Sequence, residues 1–172
     1  LGDVYKRQAL DEAEDRIKNL ESLLSVTDEN SEIYAVNHSG GTPVRLSSDT
    51  ERVLSFALDM AQKTNGALEP TIYPVLTAWG FTTESYQIPA QEKINQLMQS
   101  VDFQKVKIDN HTLTLPDGMQ LDLGAVAKGY AGDEIASLLK SKGITSAIIN
   151  LGGNVQTIGT RPDGSMWRVG LK

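Results

Sequence analysis

Apolar residues between Ala9 and Ser25 fall at Leu10, Ala13, Ile17, Leu20 and Leu24, at spacings of 3, 4, 3 and 4. That period gathers them on one stripe of a helix. The stripe is too short for a coiled coil, so it faces a core. Ser31 is placed to cap a short turn through Glu32, Ile33 and Tyr34 before Ser39-Gly40-Gly41 breaks the chain. The next helix is marked at both ends. Ser48 with Glu51 three residues on is a capping-box pattern, Val53, Ala57, Met60 and Ala61 form an apolar face, and Asn65-Gly66 offers a left-handed stop. Between Leu68 and Phe81 the period is lost. Pro70 and Pro74 forbid a long regular helix while Tyr73, Val75, Leu76, Trp79 and Phe81 stay apolar, which predicts a packed loop. Pro89 then introduces a helix from about Ala90 to Ser100, with Ile94, Leu97 and Met98 facing inward.

Beyond this point the period shifts to two. Val106 and Ile108, Leu113 and Leu115, and Met119, Leu121 and Leu123 alternate with polar residues across Asp109-Asn110 and Pro116-Asp117-Gly118 turns, the pattern of an antiparallel meander. A helix from about Val126 to Lys142 stops at Gly143, and Thr145 to Asn150 reads as a buried strand entering Leu151-Gly152-Gly153-Asn154. The turn at Pro162-Asp163-Gly164 leads into a last alternating stretch from Met166 to Lys172. Helices on an antiparallel sheet make the expected fold class α+β.

The length of 172 residues suits one domain, expected over 9–172. Leu1 to Gln8 has no initiator methionine and no period and is set aside as a non-native or read-through segment, while the pattern running out in mid-strand at Lys172 reads as a fragment. Hydrophobic residues at 40% and charged residues at 22% are globular proportions. With 16 basic and 22 acidic residues the net charge is -6, which argues against a nucleic-acid backbone as partner. The absence of cysteine removes disulfides, thiolate metal sites and a cysteine nucleophile.

Three stretches have the makings of a site. In Leu121-Asp122-Leu123-Gly124-Ala125-Val126-Ala127-Lys128-Gly129-Tyr130 a strand delivers Asp122 to a glycine turn and a helix N-terminus, where backbone N–H groups and the dipole favour anions. Lys128 adds a point charge, and Asp122 suits a hydroxyl or the polar edge of a ring. The same residues read equally as an N-cap and a solvated lysine. Asn150-Leu151-Gly152-Gly153-Asn154 is either a close backbone approach to a ligand or a glycine turn between two strands. Asn65-Gly66-Ala67-Leu68-Glu69-Pro70-Thr71 with Trp79-Gly80-Phe81 is either a rigid wall for a planar ligand or core packing. His38 and His111, the two histidines, accompany no Gly-x-Ser-x-Gly elbow.

Together and in this order, from about Leu23 to Lys172, these segments resemble the FAD:protein FMN transferase family, the ApbE-type flavin transferases once described as thiamine-biosynthesis lipoproteins. The resemblance rests on Asn30-Ser31-Glu32-Ile33, Gly66 to Thr71, Leu76-Thr77-Ala78-Trp79-Gly80-Phe81, Asp122 to Tyr130, Asn150 to Asn154, and Pro162-Asp163-Gly164 with Trp167-Arg168-Val169-Gly170. It implies an enzyme that passes the FMN half of FAD to a Ser or Thr hydroxyl of an acceptor flavoprotein, releasing AMP with Mg²⁺ present. It also implies that Asp122 and Lys128 contact FAD, that Ala67, Leu68 and Glu69 line its site, and that the Ala125 carbonyl is a Mg²⁺ ligand. Hard cations take backbone oxygen, so an alanine can stand at a metal position.

This chain departs from the family's pattern at Thr27, near which the family often has Tyr, and at Glu69 and Asn154, where it often has Asp. The family's later His-containing flavin segment and the Asp and Thr of its metal site are expected beyond Lys172, so this chain alone is expected to be inactive. Two other readings stay open: an FAD pyrophosphatase, with water as nucleophile, and a flavin-binding module without chemistry. An extracytoplasmic, lipid-anchored location in a bacterium is implied by the resemblance alone.

Overall fold

The computed structural model describes residues 2–83 and 85–170. Its elements are mixed helix and antiparallel sheet, the α+β class expected. The chain divides into two compact units: Leu1–Glu21 with Ala127–Lys172, and Ser22–Val126.

In the unit Ser22–Val126, α2 (Glu32–Asn37) starts where expected, with the Ser31 hydroxyl accepting from Tyr34 N. Helix α3 (Ser48–Lys63) begins one residue earlier than the capping-box pattern suggests. Its N-cap is Ser47, whose hydroxyl accepts from Thr50 N. The Glu32 carboxylate accepts in turn from Ser47 N and Oγ at 3.0 Å, so an acid on α2 holds the cap of α3. Helix α3 buries Val53, Leu54, Ala57 and Ala61. It stops at Asn65 and Gly66, both at positive φ, with Gly66 N donating to Ala61 O at 2.8 Å.

The stretch read as packed loop contains a six-residue helix, α4 (Tyr73–Ala78), because Pro74 lies in its first turn, where a missing N–H costs nothing. Helix α5 (Gln91–Leu97) gives way to one 3₁₀ turn and buries no residue fully. Met98, expected inward, is 46% exposed.

The meander is corrected as well. Strands β2 (Lys107–Asp109) and β3 (Thr112–Thr114) pair antiparallel as expected, but the third strand is β1 (Val44–Arg45), giving the order β1-β3-β2. Met119, Leu121 and Leu123 alternate and are buried without joining that sheet. Other groups satisfy their backbone: Asn37 Oδ1 accepts from Leu121 N at 2.7 Å, Asn37 Nδ2 donates to Leu121 O at 2.9 Å, and Asp122 N donates to Pro70 O at 2.8 Å.

In the other unit, α1 (Asp3–Leu24) is helical from Asp3, so most of the eight residues set aside are part of the helix. Its stripe holds except at the first position, where Ala9 rather than Leu10 turns inward. Ala9, Ala13 and Leu20 are buried, whereas Leu10 is 59% exposed. Ala9 and Ala13 form a core cluster with Ile135 and Leu139 of α6 (Gly124–Ser141), Ile149 of β4 (Ala147–Leu151) and Ile158 of β5 (Asn154–Ile158). Gly143 ends α6 at φ 76°, with Ile144 N donating to Leu139 O at 3.0 Å.

Strands β4 and β5 form an antiparallel hairpin closed by Gly152 and Gly153, both at positive φ as a two-residue primed turn requires. The final strand expected from Met166 does not form over 166–170, and Leu171 and Lys172 lie outside the described residues. Trp167 is anchored instead by its side chain. Its Nε1 donates to Ile158 O at 3.3 Å, and the Arg161 guanidinium lies 6.0 Å from its ring centroid.

Candidate functional site

A cavity of 720 Å³ opens in the unit Ser22–Val126. Ala67, Leu68 and Glu69, just past the stop of α3, line it together with Asp122 and Ala125 at the entry to α6. The rest of the wall is apolar, including Ile72, Leu76, Met98, Val101 and Leu123. An apolar wall with a few convergent polar groups is the usual make-up of a small-molecule site.

The extended segment before α6 brings Asp122 to this wall. Its backbone N–H is held by Pro70 O, and Ile72 and Gln120 form an isolated parallel bridge alongside. Asp122 Oδ1 accepts from Gly124 N at 2.7 Å, the cap-like role open to it from sequence. That leaves Oδ2 to meet a ligand donor.

Glu69 is differently employed. Its Oε1 accepts from Thr71 N at 2.9 Å and Thr71 Oγ1 at 2.7 Å, and its Oε2 accepts from Phe103 N at 3.3 Å. Thr71 Oγ1 also accepts from Asp102 N at 2.8 Å. The carboxylate therefore ties the cavity loop 66–72 to residues 102–103, and an acceptor-only group with these donors already placed has its capacity largely used within the protein.

Of the residues that the resemblance assigns, Ala67, Leu68, Glu69, Asp122 and Ala125 line one cavity. Lys128 belongs to the other unit, is exposed, and has its Nζ 3.8 Å from where a Cβ on Gly152 would lie. Gly152 and Gly153 form the hairpin turn, the structural alternative left open above, and Asn150 Oδ1 holds that turn by accepting from Gly153 N at 3.0 Å.

Trp79 and Phe81 do not line the cavity. They stack at 6.4 Å between centroids, and Tyr86 meets Phe81 edge-on at 5.7 Å. Gly80 lets that loop close, since at φ 80° a Cβ would overlap the Ser85 carbonyl. His38 stacks on Tyr34, and His111 Nδ1 pairs with Glu51 Oε2, so neither belongs to the cavity. Among the described residues no group of three or more His, Asp or Glu side chains is arranged to hold a metal ion.

Two buried polar residues behind the cavity, Asn37 and Thr71, were not singled out by sequence reasoning as site residues of their own. The available signal was a polar side chain inside an otherwise apolar stretch, but local sequence does not tell a buried amide or hydroxyl from a solvated one.

A family model described as the ApbE family matches residues 2–172. The chain is 32% identical over 160 residues to an FAD:protein FMN transferase of Klebsiella pneumoniae, covering 91% of this chain and 49% of that protein. It is 31% identical over 162 residues to one of Treponema pallidum, covering 89% and 45%. Among solved structures, the apo flavinyl transferase ApbE of Pseudomonas stutzeri superposes with a TM-score of 0.88 at 27% identity, covering 95% of this chain and 53% of that one. The ApbE protein of Thermotoga maritima gives 0.86 at 27% identity, covering 92% and 53%. The chain thus spans about half the length of the relatives it matches. By the family model and by these likenesses in sequence and fold, it belongs to the ApbE family.

Proposed function

We propose that this chain serves FAD:protein FMN transfer, in which the FMN half of FAD passes to a Ser or Thr hydroxyl of an acceptor flavoprotein and AMP is released in the presence of Mg²⁺. The hydroxyl oxygen bonds to the FMN phosphorus, the bond from that phosphorus to the bridging oxygen breaks so that this oxygen leaves on AMP, and the hydroxyl proton passes to solvent. Transfer of this kind depends mainly on positioning and on stabilising developing charge. The observation that carries the reading is the cavity that gathers Ala67, Leu68, Glu69, Asp122 and Ala125 in a member of the ApbE family.

Each element of the site has a task in this reading. Asp122 Oδ2 accepts from a hydroxyl or ring N–H of FAD, while the Asp122 contact to Gly124 N fixes the carboxylate plane. The backbone and apolar side chains of 66–72 exclude water from a planar ring, and Glu69 keeps that loop in place. Lys128 is assigned to FAD by the resemblance. The described residues do not amount to a Mg²⁺ site, since the Ala125 carbonyl and the Asp122 carboxylate fall well short of the near-octahedral oxygen set the ion demands. An extracytoplasmic, lipid-anchored location belongs to the same proposal, and no described helix is long and apolar enough to cross a membrane.

The test is to supply FAD, Mg²⁺ and an acceptor domain to this chain extended to the full length of its relatives, and to follow covalent flavin by mass spectrometry together with AMP. Flavin on the acceptor with matching AMP supports transfer. AMP and free FMN at the same rate without acceptor make the reaction hydrolysis, and FAD binding with no AMP reduces it to a binding module.

A further inference from the structure

We infer that Asn37 is the positioning residue for Asp122, a role that rests on the FAD reading of the cavity. Asn37 is the last residue of α2 and is 8% exposed. Its amide takes both backbone groups of Leu121, accepting from N at 2.7 Å and donating to O at 2.9 Å. Its own carbonyl accepts from Gln120 Nε2 at 3.2 Å.

A side-chain amide thus does for the segment 119–123 what a neighbouring strand does in a sheet. On the opposite edge Pro70 O accepts from Asp122 N, and Ile72 bridges Gln120. Those contacts come from the loop that itself lines the cavity. Asn37 supplies the fixed edge from a helix. Asp122 is the next residue along, so where Leu121 is held sets where the Asp122 backbone lies, and Gly124 N then orients its carboxylate. An apolar residue there would leave two buried backbone groups unpaired, and they would seek partners by shifting the segment.

The experiment titrates FAD calorimetrically into the full chain with its natural residues, Asn37→Ala, Asp122→Ala and the double variant, with urea unfolding of each alongside. Asn37→Asp serves as the near-isosteric second variant, since a carboxylate accepts from Leu121 N but cannot donate to Leu121 O. Asp122→Ala should weaken FAD binding roughly tenfold or more, the worth of one charge-assisted hydrogen bond. Asn37→Ala and Asn37→Asp should each weaken it several-fold in protein that is still folded, and should speed amide exchange at Leu121.

The double variant should bind no more weakly than Asp122→Ala alone, while the fall in urea midpoint caused by Asn37→Ala stays the same in both backgrounds. A merely structural Asn37 would lower the midpoint and leave the affinity of folded protein untouched. That result, or an Asn37 effect that multiplies undiminished onto Asp122→Ala, overturns the inference while the FAD reading stands. If Asp122→Ala binds FAD like the natural chain, the FAD reading of the cavity fails and the positioning role falls with it. Should Asn37→Ala not fold, Asn37→Asp carries the same comparison.

Discussion

Thr71→Val removes one oxygen from a fully buried side chain and keeps its shape and β-branching. That oxygen makes two of the contacts that close the cavity loop, donating to Glu69 Oε1 at 2.7 Å and accepting from Asp102 N at 2.8 Å. The first is a hydrogen bond to a carboxylate, worth about 1.5–3 kcal/mol, and losing the second leaves a backbone N–H unpaired at about 1–3 kcal/mol. Glu69 Oε1 retains Thr71 N, and neighbouring losses do not add in full. The net expectation is about 2–4 kcal/mol, a large part of the ~5–15 kcal/mol that holds a domain together.

Thr71→Ser is the control. It keeps both contacts and loses one methyl, for about 1 kcal/mol. Urea unfolding followed by the fluorescence of Trp79, which lies in the same unit, together with far-ultraviolet circular dichroism, measures both variants. Thr71→Val should unfold at clearly lower urea than Thr71→Ser with a similar slope, and in folded protein it should also weaken FAD binding by loosening residues 66–70. If Thr71→Val is no less stable than Thr71→Ser, the hydroxyl does not tie the loop and the reasoning is refuted.

Lys128→Ala should weaken FAD binding by roughly tenfold or more in a flavin-fluorescence titration, as expected for loss of a charge-assisted contact; unchanged affinity removes Lys128 from the site. Gly159→Ala should lower the melting temperature well beyond Gly153→Ala, because at φ 57° a Cβ on Gly159 overlaps the Thr145 carbonyl whereas one on Gly153 meets open space. Equal shifts would show that backbone strain, present at both, accounts for the whole cost. The Lys142 ammonium, 2.6 Å from Glu12 Oε2, holds the Glu12 carboxyl below its ordinary value, and Glu12 raises Lys142 in return. A lowered acid contributes stability above its unfolded pKa of about 4.3 and loses it as pH falls through the folded value. Lys142→Met should therefore flatten the acid flank of the melting temperature below that pH, and an unchanged acid flank would deny the pair any part in it.

Periodicity and turn chemistry along the chain determined which segments are helices, which positions alternate, and where helices stop. Asn65-Gly66 and Gly143 end α3 and α6 because backbone at positive φ is a property of the residue itself. Order and spacing also carried the family, and two stretches far apart in the chain, Ala67 to Glu69 and Asp122 to Ala125, did meet on one cavity wall.

Only the tertiary structure decided what covers each apolar face. The alternation at Met119, Leu121 and Leu123 announces burial, yet burial alone does not say that an asparagine amide stands where a strand was expected. Likewise Glu69 reads as a ligand residue in sequence, and the structure turns its oxygens toward Thr71 and Phe103. Local pattern reports the energetics of a residue against water, whereas a buried polar group must find its partner among groups brought close by the fold. Beyond the local pair of Glu69 and Thr71, the partners lie 31 to 84 residues away in the contacts that build this site, a separation over which periodicity carries no information.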